Sequence, residues 1–154
     1  MAATRWPSNG LRNVGSYQIS GHPFITGSAN LDDGKVHLIE FPYVCKSFTV
    51  INPNPSDNIR VHFESGSATP VGFPGESGAQ TIASTDDVIA GRHFITVRSA
   101  GNSVTFNHRC KKVYISNGSG TDNLGYEVFA ELTLINRDSM YELTGSGITD
   151  GPVP

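Results

Sequence analysis

Five histidines, two cysteines and two adjacent carboxylate pairs are the side chains with the most reach for chemistry in this 154-residue sequence. The histidines are His22, His37, His62, His93 and His108. No two of them stand at the HxH or HxxxH spacing that puts a pair of imidazoles on one face as metal ligands. Cys45 lies in VCKSF and Cys110 in RCKK. Arg109, Lys111 and Lys112 would favour a thiolate at Cys110. A strand-end cysteine beside solvated lysines accounts for the same pattern without reactivity. The opening MAATRWPSNG has no apolar leader segment, so the cysteines are read as free buried thiols rather than a disulfide.

The paired carboxylates, Asp32-Asp33 and Asp86-Asp87, fall in loops. Glycosidase carboxylates face each other across a cleft, which adjacency in sequence does not give. DDG at 32–34 and TDN at 121–123 carry oxygens that calcium could use, but neither has the DxDxDG spacing. There is no GxSxG elbow and no phosphate-binding loop ahead of a helix. Asn117-Gly118-Ser119 matches a glycosylation sequon and reads as a turn. The expectation is a protein that is not an enzyme, with no catalytic, cofactor-binding or metal-binding residues.

The elements that would carry these side chains are strands. PFITGS from Pro23 is a short strand, and NLDDGK (30–35) is turn chemistry. KVHLIEF (35–41) is a strand that Pro42 ends, and YVCKSFTVI (43–51) is the next. NIRVHF (58–63) alternates, with Ile59, Val61 and Phe63 on one face and Arg60 and His62 on the other. RHFITVR (92–98) and SVTFN (103–107) flank a turn and predict a hairpin. KKVYIS (111–116) follows, then a loop, then YEVFAELTLI (126–135). In that last strand Tyr126, Val128, Ala130, Leu132 and Leu134 share a face opposite a mixed one. Asp138–Leu143 allows a single helical turn. The sum is an all-β domain, an antiparallel β-sandwich or jelly roll, with a closed barrel as the alternative.

Composition fits that class. Seventeen Gly and nine Pro favour turns over helices, and charged residues make up only 16%. The net charge of −3 disfavours phosphate-driven binding to nucleic acid. No apolar run is long enough to cross a bilayer as a helix. The organisation expected is an N-terminal arm at 1–22, a β-sandwich domain at 23–137 with a long loop at 64–91, and a C-terminal tail at 138–154. The arm carries Trp6 and Tyr17 and packs on its own domain or on a neighbour. The loop carries Phe73 between Pro70 and Pro74, and is a partner-docking loop or a mobile surface loop.

FPYVCKSFTVIN, IRVHF, RHFITVRSAGNSVTFNHRCKKVYISN and YEVFAELTLINRDSMYELTGSGI together resemble small structural proteins of tailed bacteriophages. The likeness is to capsid decoration, or cement, proteins with a β-sandwich core and extended arms, and the last third of the chain carries most of it. The resemblance implies a virion protein on the outer capsid surface, assembled in the host cytoplasm. Its partners would be the major capsid protein and copies of itself, as a homotrimer or a dimer. It implies no cofactor, no nucleic acid and no membrane. The residues expected to bind partners are Trp6, Tyr17, Phe73, Met140 and Tyr141. A phage tail or fibre module, or a carbohydrate-binding β-sandwich using Trp6, Phe73 and Tyr141, is the alternative.

Overall fold

Alternating β-branched and aromatic residues drive most of the described segments of this chain into strands. The structure, a computed structural model, describes residues 22–63, 80–81, 94–141, 143–144 and 147–148. The strands are β1 (His22–Leu31), β2 (Lys35–Asn52), β3 (Ile59–His62), β4 (Gln80–Thr81), β5 (Ile95–Val97), β6 (Asn102–Phe106), β7 (Cys110–Ser116), β8 (Leu124–Asn136), β9 (Leu143–Thr144) and β10 (Gly147–Ile148). A 3₁₀ turn spans Arg137–Ser139. The protein is therefore all-β and antiparallel, as its sequence predicts. The main sheet runs β1-β8-β2-β7-β3-β5, with β4 and β6 also pairing β2, while β9 and β10 form a separate hairpin.

β2 organises the whole sheet. Its first part, Val36–Glu40, pairs with β7, and its second part, Phe48–Asn52, pairs with β6 on one side and β8 on the other. Between them the register slips, from Glu40 to Cys45 against β7 and again around Tyr43–Ser47 against β8. Pro42 sits in this gap, where its missing N–H costs no ladder bond. The sequence rule that ends a strand at proline thus fails here. β2 bends at Pro42, exchanges partners and continues, the way a strand turns a corner between two layers.

The bend makes two half-sheets, β1-β8-β2-β6 and β2-β7-β3-β5. Their inner faces share one core. Phe48, Val50, Val128 and Ala130 come from the first, and Ile59, Val61, Val113 and Ile115 from the second. Phe63, just past β3, lies edge-on to Phe48 and Phe106 and joins the halves.

The expected hairpin between 92–98 and 103–107 does not form. β5 pairs with β3, and β6 pairs with β2. Ala100 and Gly101 adopt positive φ at the turn. Their N–H groups donate to the carbonyls of Asn54 (2.6 Å) and Asn52 (2.9 Å). The turn is thereby anchored to the end of β2, and the chain crosses from one half-sheet to the other. Phe106 then stacks on Phe48 at 4.7 Å, which the hairpin register would forgo.

Three boundaries shift. His22, assigned to the arm, begins β1. Gln80 and Thr81, inside the segment expected to be loop, pair with Val36 and Lys35. The tail beyond 137 is partly built in, because Met140 is buried with Val44 and Ile135 and Leu143 packs on the main core.

Candidate interaction surface

The cross-strand register sorts the side chains of β1, β8, β2 and β6 into rows. Phe24, Ala130, Phe48 and Phe106 make one inner row. The row beside it, one residue along each strand, faces outward: Ile25, Phe129, Thr49 and Thr105. Ile25 is 78% exposed and Phe129 is 40% exposed, and they are directly opposed across the β1–β8 ladder. The Thr49 and Thr105 hydroxyls hydrogen-bond at 2.8 Å and extend the row across β2 and β6. Glu127 and Glu131 of β8 lie in the flanking rows, paired with Gly27 and Pro23. Ser47 donates to the Glu131 carboxylate at 2.9 Å. This half-sheet thus presents an outward face with an exposed apolar centre, flanked by Glu127 on one side and by Glu131 with Lys46 3.9 Å away on the other, a composition that suits an interaction patch.

Beside this face lies a sheet edge formed by β1. Among the described residues β1 pairs only with β8. Its sequence, HPFITGSANL, has no Lys, Arg, Asp or Glu. Exposed edges are usually guarded by charge, proline or a bulge. Here the guards are confined to the ends: Pro23, and a register irregularity between Ser28 and Leu31.

The outward face of the second half-sheet differs. Val36, Tyr114, Ser116 and His62 are all buried there. The imidazole of His62, expected on a face opposite the apolar one, is stacked on Tyr114 at 5.7 Å. It does oppose Ile59 and Val61, but it is not exposed.

The other chemistry-bearing side chains are committed to the fold. His37 faces Tyr126, with Nδ1 and the phenol oxygen 3.0 Å apart. Burial lowers its pKa, while nearby Asp32 pulls the other way. His108 lies edge-on to Phe48, Phe63 and Phe106, and burial lowers its pKa too. His93 lies outside the described residues. The two loops with calcium-type oxygens do meet. Their carboxylates accept backbone N–H groups instead, Asp33 from Gly120 at 2.8 Å and Asp122 from Asp33 at 3.0 Å. Among the described residues no group of three or more His, Cys, Asp or Glu could hold a metal ion. Asn117 of the sequon is buried and its amide donates to the carbonyls of Leu31 and Thr121. It ties the 117–125 loop to β1, consistent with the turn reading.

Of the residues expected to bind partners, Trp6, Tyr17 and Phe73 lie outside the described residues. Met140 is 4% exposed, packed on Val44 and Ile135, so its side chain faces the interior. Tyr141 is partly buried against the same small cluster. Sequence reasoning missed Ile25 and Phe129. The available signal was an aromatic between two glutamates on the polar phase of the longest alternating strand. No family model matches the chain, and no curated protein or solved structure matches it significantly.

Proposed function

We propose that this protein is a virion structural component that decorates a capsid, binding the major capsid protein lattice and copies of itself on the outer surface. The observation that carries the reading is the outward row Ile25–Phe129–Thr49–Thr105, an exposed apolar-centred face beside an uncharged strand edge. Such a surface suits docking on another protein. The resemblance of the 111–148 region to phage decoration proteins supports the same reading. Weak individual contacts suffice when many copies engage one lattice, because each bound copy raises the effective concentration of the next contact. Closed symmetry, a trimer or a dimer, would satisfy the self-contacts.

The test is titration of the purified protein onto capsids that lack it. The expected result is saturable binding and capsids that withstand more heat than undecorated ones. Absence of saturation, with capsid melting unchanged, rejects the proposal. The exposed rings of Tyr43 and Phe129, each 40% accessible, favour carbohydrate binding as the second reading, since sugars stack on exposed aromatics. Glycan-array binding without capsid binding would select it.

A further inference from the structure

The two cysteines, 65 positions apart in sequence, meet in the core at the corner of β2. Cys45 and Cys110 are direct cross-strand partners of β2 and β7, and their sulfurs are 3.2 Å apart. Both are free and fully buried. Opposed residues of an antiparallel pair have Cα atoms about 4.5–5.5 Å apart, inside the range that a disulfide spans. A disulfide needs sulfurs about 2.0 Å apart, so small side-chain rotations close the gap without moving a strand. The position is distinctive. Cys45 is where β2 rejoins β7 after the interrupted stretch from Glu40, so this pair is the first ladder contact beyond the bend.

We propose that Cys45 and Cys110 form an oxidation site, closing to an intramolecular disulfide that clamps the corner between the two half-sheets when the protein meets a peroxide. The step balances with a peroxide as oxidant. The Cys45 thiolate attacks one peroxide oxygen, the O–O bond breaks, and Cys45 becomes a sulfenic acid as the other oxygen leaves as hydroxide and takes up a proton to form water. The Cys110 sulfur then attacks the Cys45 sulfur, the S–S bond forms, and the sulfenic oxygen leaves as a second water with the Cys110 proton. Both sulfurs are oxidised and the peroxide is reduced.

The local electrostatics suit these roles. The hydrogen bond with Cys110 lowers the Cys45 thiol against the opposing effect of burial. The same bond, followed by burial, raises Cys110 well above its ordinary value. Full burial makes entry of the oxidant the slow step, so the site responds to sustained exposure.

The experiment uses the full chain, reduced, desalted and incubated folded with hydrogen peroxide. Remaining thiols are then alkylated in denaturant, and intact mass and non-reducing peptide maps are recorded. The expected result is a monomer lighter by two hydrogens, with neither cysteine alkylated and the Cys45 and Cys110 peptides joined. Thermal melting should rise by about 10 °C, as expected for closing a loop of this length, and dithiothreitol should reverse the rise. Cys110→Ala should abolish the loss of two hydrogens and the thermal response to peroxide, leaving at most an added oxygen on Cys45. Should that variant not fold, the wild-type map and the dithiothreitol reversal still decide. Two alkylatable thiols after exposure, cross-linked dimers, or a disulfide that forms only in denaturant would each overturn the proposal. So would a disulfide that leaves the melting temperature unchanged.

Discussion

At the scale of single residues, the side chains that sequence reading would nominate for catalysis serve as pH-sensitive parts of the fold. His37 and His108 both have pKa values lowered below 6.5, chiefly by burial. A lowered base is neutral in the folded protein and takes its proton more readily once unfolded. The unfolded state therefore binds more protons as the pH falls through 6.5, and stability drops. Above 6.5 the contribution is fully present. Melting temperature should decline between about pH 7 and pH 5, more steeply than in a His37→Gln/His108→Gln variant. Equal slopes would show that the two rings do not report on folding. Tyr126 sets the alkaline limit, because burial pushes its pKa from 10.0 to about 12. The unfolded phenol ionises first, so its stabilising effect holds below pH 10 and is lost as the pH rises towards 12. Tyr126→Phe should remove that alkaline loss while costing about 1 kcal/mol at neutral pH through the lost contact with His37. Denaturant titrations at neutral and alkaline pH check both effects.

At the scale of elements, alternation made most strands legible, and its failures fall where a strand changes partner or phase. Within β8 the buried set Tyr126, Val128, Ala130 and Leu132 follows the expected face, but Thr133 and Ile135 are buried after it and Leu134 is 53% exposed. The inversion is held by Thr133, whose hydroxyl donates to the Val44 carbonyl at 2.7 Å and accepts the Ile135 N–H at 3.2 Å. Thr133→Val keeps the shape and strands both backbone groups, so it should cost about 1–3 kcal/mol by denaturant unfolding. A neutral result would mean the phase change is set by packing of Ile135 and Met140 instead. Neither this inversion nor the bend of β2 is written in a local pattern. Both depend on which strand lies alongside, and that is a long-range choice. The same holds for β6, whose turn residues match a hairpin while its partner is Phe48 on a distant strand. At Gly27 the requirement is close approach, since a Cβ there would stand 2.6 Å from the Tyr126 carbonyl oxygen across the β1–β8 ladder. Gly27→Ala should push β1 away and destabilise by about 1–3 kcal/mol, with the loss of amide protection confined mainly to β1. Uniform loss across the sheet would show that β1 does not open separately.

At the scale of the whole molecule, the two outer faces are unequal, and the inequality is what the functional proposal rests on. In the half-sheet with Val36, Tyr114 and His62 these outward rings and aliphatic groups are buried, and the exposed positions of that side, Glu40 and Thr96, are polar, whereas the other half-sheet leaves the apolar Ile25 and Phe129 in water. Composition alone did not reveal this, because an aromatic on the polar phase of a strand looks the same whether it is covered or open. The distinction came from register, which places Ile25 opposite Phe129 with Gly27, Pro23, Glu127, Glu131 and Thr49 as their strand neighbours. Exposed apolar side chains contribute little to folding, so replacing them separates assembly from stability. An Ile25→Lys/Phe129→Lys variant should melt within a few degrees of wild type, because both side chains point away from the core and single surface changes cost about 0.5 kcal/mol or less. On capsids lacking the protein, the same variant should bind at least about tenfold more weakly, which corresponds to about 1.4 kcal/mol of lost contact energy. Sedimentation of the free variant separates a loss of binding from a loss of protein. If the variant decorates capsids as well as wild type does, this face is not the contact surface. If it binds normally but sediments as a smaller species, the face joins copies of the chain to each other.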